Sequence, residues 1–103
     1  MKAVVVGATR GMGRALARAL AERGDALWLL GREASELEAS ARDLEARGAA
    51  GAVGQAALDL ALPAGFADAL DAADRGLGGF DTLVVTGGLS DRQRAELVSL
   101  LRR

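Results

Sequence analysis

This chain alternates between short hydrophobic runs and longer segments in which apolar residues recur every three or four positions. The runs at residues 2–7, 26–30, 52–58 and 81–86 predict strands, since parallel strands covered on both faces are nearly continuously apolar. The periodic segments predict helices. Regular alternation of the two favours parallel strands joined by right-handed crossovers. We therefore predict an α/β fold, a three-layer, doubly wound parallel sheet of about four strands in order 3-2-1-4.

Four helices are predicted between and after these strands. The first runs from about Gly11 to Arg23 and the second from Glu33 to Arg47, while the third begins at Pro63. Glycines at positions 76, 78 and 79 are expected to end the third helix, and Ser90 is expected to cap the last one. The predicted inward faces are Met12, Leu16, Ala19 and Leu20, then Leu37, Ala41 and Leu44, then Phe66, Leu70, Ala73 and Leu77, and finally Leu97, Val98 and Leu101.

A glycine-rich turn, Gly7-Ala8-Thr9-Arg10-Gly11-Met12-Gly13, joins the first strand to the first helix. A helix N-terminus offers backbone N–H groups and positive potential, so the turn suits a phosphate group. Gly7 permits a sharp turn, Gly11 a close approach to a diphosphate, and Gly13 close packing of helix on strand. The spacing G-x-x-x-G-x-G differs from the G-x-G-x-x-G of the standard dinucleotide motif. We interpret the turn as nucleotide-binding, with a purely structural turn as the alternative.

Composition narrows the possible functions. The 103 residues have the length of one domain, and a net charge of −1 argues against a nucleic acid partner. The absence of cysteine and histidine argues against disulfides, thiol catalysis and a metal site. No run is long enough for a membrane span and no signal peptide is evident, so we expect a cytoplasmic protein without a membrane partner. A P-loop hydrolase is disfavoured because no Gly-Lys-Ser/Thr follows the glycines.

Four features occur in order along residues 1–88: the glycine turn, Gly31-Arg32, Asp59-Leu60 and the segment 81–88. Together they resemble the amino-terminal half of the short-chain dehydrogenase/reductase family, which are NAD(P)-dependent oxidoreductases with a Rossmann-type fold. The resemblance implies one NAD(P)-binding domain over residues 1–103, in which residues 89–103 form a terminal helix.

The same resemblance assigns roles to individual residues. It implies that the glycine turn cradles the cofactor diphosphate, and that Asp59 accepts a hydrogen bond from the adenine amino group beside the Leu60 backbone. A helix cap or turn residue is the alternative for Asp59. The family usually has Asn-Asn-Ala-Gly where this chain has Val85-Thr86-Gly87-Gly88, so the strand-joining asparagines are replaced. The expected cofactor-binding residues are Gly7, Thr9, Arg10, Gly11, Met12, Gly13, Gly31, Arg32, Asp59, Leu60, Thr86, Gly87 and Gly88.

Two arginines bear on the choice of cofactor. Arg32 follows Gly31 at the end of the second strand, about twenty residues after the glycine turn, where a dinucleotide fold contacts the adenosine ribose. Arg10 approaches the same place from the turn. An acidic residue there would bind the 2′-OH of NAD, whereas a guanidinium matches the 2′-phosphate of NADP. We therefore predict NADP in preference to NAD. The alternative is that both arginines pair with nearby acids such as Glu33.

Catalysis in this family depends on a Tyr-x-x-x-Lys pair assisted by a serine. This chain contains no tyrosine, and its single lysine is Lys2. We therefore expect an NADP(H)-binding module, truncated or minimal, that has no catalytic residue and is not catalytically competent alone. The alternatives are a non-catalytic NADP-sensing or protein-interaction domain and an enzyme completed by a separate chain. Strand 4, at a sheet edge, or the last helix is expected to support a homo-oligomer or to meet a missing carboxy-terminal half.

Overall fold

The computed structural model describes residues 1–59, 63–86 and 91–101 of the chain. Strands and helices alternate as predicted, with ends close to those expected. Pro63 begins a short 3-10 turn (Pro63–Gly65) rather than the third α-helix. In chain order the elements are β1 (Lys2–Val6), α1 (Gly11–Glu22), β2 (Ala26–Gly31), α2 (Ala34–Arg47), β3 (Gly54–Ala57), α3 (Phe66–Leu77), β4 (Thr82–Val85) and α4 (Asp91–Leu101).

The strands form one parallel sheet in the predicted order, β3-β2-β1-β4. Val6, the last residue of β1, lies opposite Leu30 of β2 and Val85 of β4. Gly31, the last residue of β2, lies opposite Ala57 of β3. The strands therefore end side by side, and the segments that follow them leave the sheet together. We call this side the carboxyl edge, and the side where the strands begin the amino edge.

Alternation along the central strands divides the core into two layers. Val5 and Leu29 pack in the cluster beneath α1 and α2, whereas Val4 and Leu30 pack in the cluster beneath α3. All four side chains are 0% exposed. The fold therefore has three layers, as predicted. The inward residues of α2 and α3 are also confirmed: Leu37, Ala41, Leu44, Phe66, Leu70 and Ala73 are buried, and Leu77 packs against the α3 cluster.

The predicted inward face of α1 is partly wrong. Leu20 is buried, but Met12 is 81% exposed and Ala19 is exposed as well. Apolar spacing is a poor guide here because alanines occur on every side of the helix. Small residues form most of the contact with the sheet, which lets the helix lie close to it. The buried residues of α1 are Gly13, Ala17, Leu20 and Ala21.

Gly76 does not end the third helix, contrary to the prediction. It lies within α3, where a Cβ would be 1.9 Å from Cζ3 of Trp28 in β2. A Cβ at Gly54 would likewise be 2.3 Å from the Trp28 ring. The helix ends instead at Gly78, whose φ of +67° suits a left-handed C-terminal cap. Gly76 and Gly54 therefore make room for the indole.

The last helix, α4, also departs from its prediction. Val98 is 39% exposed rather than buried. The predicted Ser90 cap lies outside the described residues, as do the side chains of Leu97 and Leu101. In the part of the chain that the structure describes, no helix combines the length and hydrophobicity needed to cross a membrane.

Candidate functional site

The turn between β1 and α1 leaves most of its backbone donors open. The Gly7 amide donates to the Leu30 carbonyl at 2.9 Å, and the Arg14 amide donates to the Arg10 carbonyl at 3.3 Å. Between them, the amides of residues 8–13 have no hydrogen-bond acceptor among the described residues. Among the described residues, no side chain caps α1. The turn therefore presents N–H donors without an acceptor at a helix N-terminus, where an anion is favoured; Arg10, Gly11 and Met12 are exposed, whereas Ala8 and Gly13 are buried.

The three glycines of the turn have different local roles. Gly7 and Gly11 have φ angles of +87° and +54°, which non-glycine residues rarely adopt. A Cβ at Gly11 would meet nothing within 4 Å, so this position faces open space. A Cβ at Gly13 would be 2.1 Å from the Gly7 carbonyl oxygen. Gly13 therefore allows α1 to pack against the end of β1, and Gly11 leaves the approach to the amides clear.

Thr86 joins the ends of β4 and β1. Its Oγ1 lies 3.0 Å from the Val6 carbonyl oxygen and 3.2 Å from that of Gly7, and donates its hydrogen toward them. Its amide also donates to Val6, at 3.1 Å. Thr86 thus joins two strands, the role that the family resemblance assigns to asparagine. Its hydroxyl hydrogen is used within the chain, and its contact with a cofactor stays a prediction.

Arg10 forms an ion pair across to α2. Its Nη2 donates to Glu36 Oε1 at 2.9 Å, with the Arg10 side chain 76% exposed and that of Glu36 39% exposed. This hydrogen bond is the main reason why the pKa of the Glu36 carboxyl lies below its ordinary value, and burial opposes it. The nearby Thr9 side chain lowers the pKa of Glu36 further. Arg10 therefore does pair with an acid, but the partner is Glu36 rather than Glu33.

Arg32 lies just after β2, at the same carboxyl edge, and is exposed. Within residues 1–59, 63–86 and 91–101, no acid forms an ion pair with it. The Gly31 carbonyl beside it accepts a hydrogen bond from the Leu58 amide at 2.7 Å, which ties the end of β2 to the end of β3. Asp59 follows directly and is half-buried. The fold thus gathers the predicted residues of three strand ends on one edge.

Some predicted site residues lie outside the described part of the chain. Other residues of the candidate site were not predicted from the sequence. Leu60, Gly87 and Gly88 are in the first group, and their roles stay predictions. The missed residues are Glu36 and Arg14, whose Nε donates to the Thr9 carbonyl at 2.9 Å. A signal was present in the sequence, because arginines at positions 10, 14 and 18 recur every four residues and acids occur along α2.

Comparisons with known proteins agree with this geometry. Residues 1–100 match the family model for short chain dehydrogenase. No curated protein sequence matches the chain significantly.

Several solved structures share the fold. L-sorbose reductase from Gluconobacter frateurii, complexed with NADPH and L-sorbose, is 26% identical with a TM-score of 0.79, over 94% of this chain and 44% of that one. The 3-oxoacyl-(acyl-carrier protein) reductase from Brucella melitensis in complex with NAD is 34% identical with a TM-score of 0.74, over 85% and 33%. An alcohol dehydrogenase from the archaeon Thermococcus sibiricus, complexed with 5-hydroxy-NADP, is 30% identical with a TM-score of 0.76, over 95% and 45%.

The chain spans less than half the length of each of these three structures. Its own match to the family nevertheless extends over residues 1–100 and includes the glycine turn, the parallel sheet and the carboxyl edge. On this evidence the protein belongs to the short-chain dehydrogenase family, with its NAD(P)-binding oxidoreductase fold.

Proposed function

We propose that this chain binds NADP(H) at the carboxyl edge of its sheet, as the cofactor-binding module of a short-chain dehydrogenase-type oxidoreductase. The observation that carries the proposal is the set of amides at residues 8–13, which have no acceptor in the described part of the chain. The similar structures with bound NADPH, NAD and 5-hydroxy-NADP support a dinucleotide as the anion. When bound, such a cofactor donates or accepts a hydride.

In this proposal the chain holds the adenosine diphosphate half of the cofactor. The amides of residues 8–13 donate to the diphosphate, and the open space at Gly11 admits it. Asp59 accepts a hydrogen bond from the adenine amino group. The remaining proposed contacts are made by Gly7, Thr9, Met12, Gly31, Leu60, Thr86, Gly87 and Gly88.

The preference for NADP over NAD rests on charge. Arg32 is exposed and forms no ion pair within the described residues. The residue before it is Gly31, so this position has no carboxylate that would repel a phosphate. Arg10 extends from the turn and is also largely exposed. Guanidinium groups bind phosphate oxygens through planar pairs of donors. We propose that both arginines contact the 2′-phosphate.

We further propose that this chain alone does not reduce carbonyl groups. It contains no tyrosine, and its one lysine, Lys2, begins β1 at the amino edge. The Lys2 Nζ donates to the Gly78 carbonyl at 3.2 Å, on the far side of the sheet from the glycine turn. The catalytic groups are then supplied by additional polypeptide. We also propose that the chain is located in the cytoplasm.

Calorimetric titration of the chain with NADPH, NADH, 2′-phospho-AMP and AMP tests the proposed function. We expect NADPH and 2′-phospho-AMP to bind with a Kd of about 10 μM to 1 mM, since the site holds only part of the cofactor. NADH and AMP should bind more weakly. Failure of all four ligands to bind would reject the function. Equal affinity for NADPH and NADH would reject only the cofactor preference.

A specific feature of β4 supports a second candidate function, pairing with another chain. Among the described strands β4 pairs only with β1, and its residues Thr82–Val85 are half-buried. An apolar edge strand presents backbone groups that favour pairing. We propose that a second copy of the chain pairs there. Sedimentation over a range of concentrations should show mass rising towards a dimer, and a monomer throughout would exclude this pairing.

A further inference from the structure

Ion pairs connect α1 to α2. Arg18 Nε lies 3.3 Å from Asp43 Oδ2, and Arg47 Nη1 lies 3.6 Å from Glu22 Oε2. Both pairs lie towards the C-terminal ends of the two helices, away from the glycine turn. They hold the helices side by side and involve none of the proposed cofactor ligands.

The ion pair nearest the turn, between Arg10 and Glu36, differs from these because it includes a proposed cofactor ligand. Glu36 lies in the first turn of α2, and its carboxylate accepts a hydrogen bond from Arg10 at 2.9 Å. Arg14 adds electrostatic attraction. This carboxylate therefore engages Arg10, a side chain that we have assigned to cofactor binding.

A carboxylate and a phosphate monoester are bound by the same kinds of group, namely guanidinium and hydroxyl donors. We propose that Glu36 competes with the 2′-phosphate of the cofactor for Arg10, and so lowers the degree to which the chain distinguishes NADP from NAD. This inference rests on the proposed function. Binding of the phosphate requires Arg10 to exchange the Glu36 carboxylate for the phosphate oxygens.

The exposure of the pair limits the size of the effect. The side chains of Arg10 and Glu36 are 76% and 39% exposed, and exposed ion pairs are weak because water and salt screen them. A weak competitor is displaced readily by a doubly charged phosphate. Removing it should therefore tighten binding of a 2′-phosphate by about two- to fivefold. A nucleotide that lacks this phosphate should be unaffected.

The substitution Glu36→Gln tests the inference, with Glu22→Gln as a matched control. Both remove one carboxylate from an ion pair with α2, but Glu36 pairs with the turn before α1, whereas Glu22 lies at the opposite end of α1. The Kd values of 2′-phospho-AMP and AMP are measured by calorimetry at one ionic strength. We expect Glu36→Gln to tighten 2′-phospho-AMP about two- to fivefold and to leave AMP unchanged. Glu22→Gln should change neither.

A second comparison identifies Arg10 as the group in competition. In an Arg10→Ala background, Glu36→Gln should lose most of its gain. An unchanged or weaker affinity of Glu36→Gln for 2′-phospho-AMP would overturn the inference, as would equal tightening of AMP. If the unsubstituted chain binds NADPH normally, such a result leaves the proposed function intact. If it binds no nucleotide at all, both fail together.

Discussion

At the amino edge of the sheet, the charged groups have partners within the chain, whereas at the carboxyl edge the amides of residues 8–13 and the Arg32 side chain have none among the described residues. Asp25 is 6% exposed, accepts a hydrogen bond from the Met1 ammonium at 3.0 Å and lies 3.1 Å from Arg23 Nε. Asp81 accepts one from the Lys2 amide at 3.2 Å. At the carboxyl edge, the amides of residues 8–13 have no acceptor in the described part of the chain.

The contrast separates stability from binding on one small sheet. A donor that is paired inside the chain stabilises the fold but is unavailable to a ligand. An open donor is available to a ligand and contributes little to the fold. We therefore expect substitutions at the amino edge to lower the free energy of unfolding, and those that obstruct the open amides or remove Arg32 at the carboxyl edge to lower cofactor affinity.

Gly13→Ala should break this division most strongly. Gly13 lies at the carboxyl edge, yet its added Cβ would be 2.1 Å from the Gly7 carbonyl oxygen. The backbone of β1 or α1 must move, so we expect a loss of more than about 3 kcal/mol in the free energy of unfolding, together with loss of NADPH binding. Urea denaturation followed by circular dichroism measures the first. A variant as stable as the parent would contradict the close packing.

Gly11→Ala is the matched control in the same turn. A Cβ there meets nothing within 4 Å, although the φ of +54° is unfavourable for alanine. We expect a loss of about 1 kcal/mol in stability, with a clear fall in NADPH affinity because the methyl group occupies the approach to the amides.

Asp25→Ala should sharpen the comparison from the amino edge. It leaves the Met1 ammonium and Arg23 without their shared carboxylate, so we expect the free energy of unfolding to fall by about 2 kcal/mol. NADPH affinity should not change, because the proposed site lies at the opposite edge. Asp81→Asn, at an exposed carboxylate of the same edge, should have a smaller effect on stability. A fall in affinity for Asp25→Ala without loss of stability would be inconsistent with this separation.

Arg32→Ala should give the converse result. We expect NADPH affinity to fall by about tenfold, through loss of a charged hydrogen bond, with NADH affinity and stability unchanged. Arg42→Ala is the control, since it removes the same charge from an exposed arginine of α2 that pairs with Glu38 instead. Calorimetric titration and urea denaturation of both variants distinguish a local contact from a general change in charge. Unaltered NADPH affinity for Arg32→Ala would contradict the proposed phosphate contact.

Much of the fold could be predicted because its signals are local. The run Val4-Val5-Val6 followed by a glycine turn indicates a buried strand and a helix start, and the strand–helix alternation indicates a parallel sheet. The inward face of α1 was harder to predict from the sequence. Alanine fits either a buried or an exposed position, so the larger Met12 was expected inside although it is 81% exposed. Gly76 depends on contact with the distant Trp28, which no local pattern reveals.

The candidate site shows the same limit. The turn and Arg32 could be found from their places after strands, since parallel strands bring their ends to one edge. The spacing of the arginines and the acids along α2 did not single out Glu36, because its role depends on a contact with Arg10 across two elements. The internal use of the Gly7 amide and the Thr86 hydroxyl likewise depends on neighbouring strands. Sequence therefore located the candidate site, whereas structure showed which donors have no acceptor among the described residues.

Residue-resolved NMR of the ¹⁵N-labelled chain during NADPH titration tests the central claim most directly. We predict that the amide signals of residues 8–13 and Arg32 shift in proportion to occupancy, while those of Asp25, Ala26 and Asp81 at the amino edge stay in place. Unchanged turn amides at saturating NADPH, or shifts centred on the amino edge, would contradict the claim that the open donors at the carboxyl edge bind the cofactor.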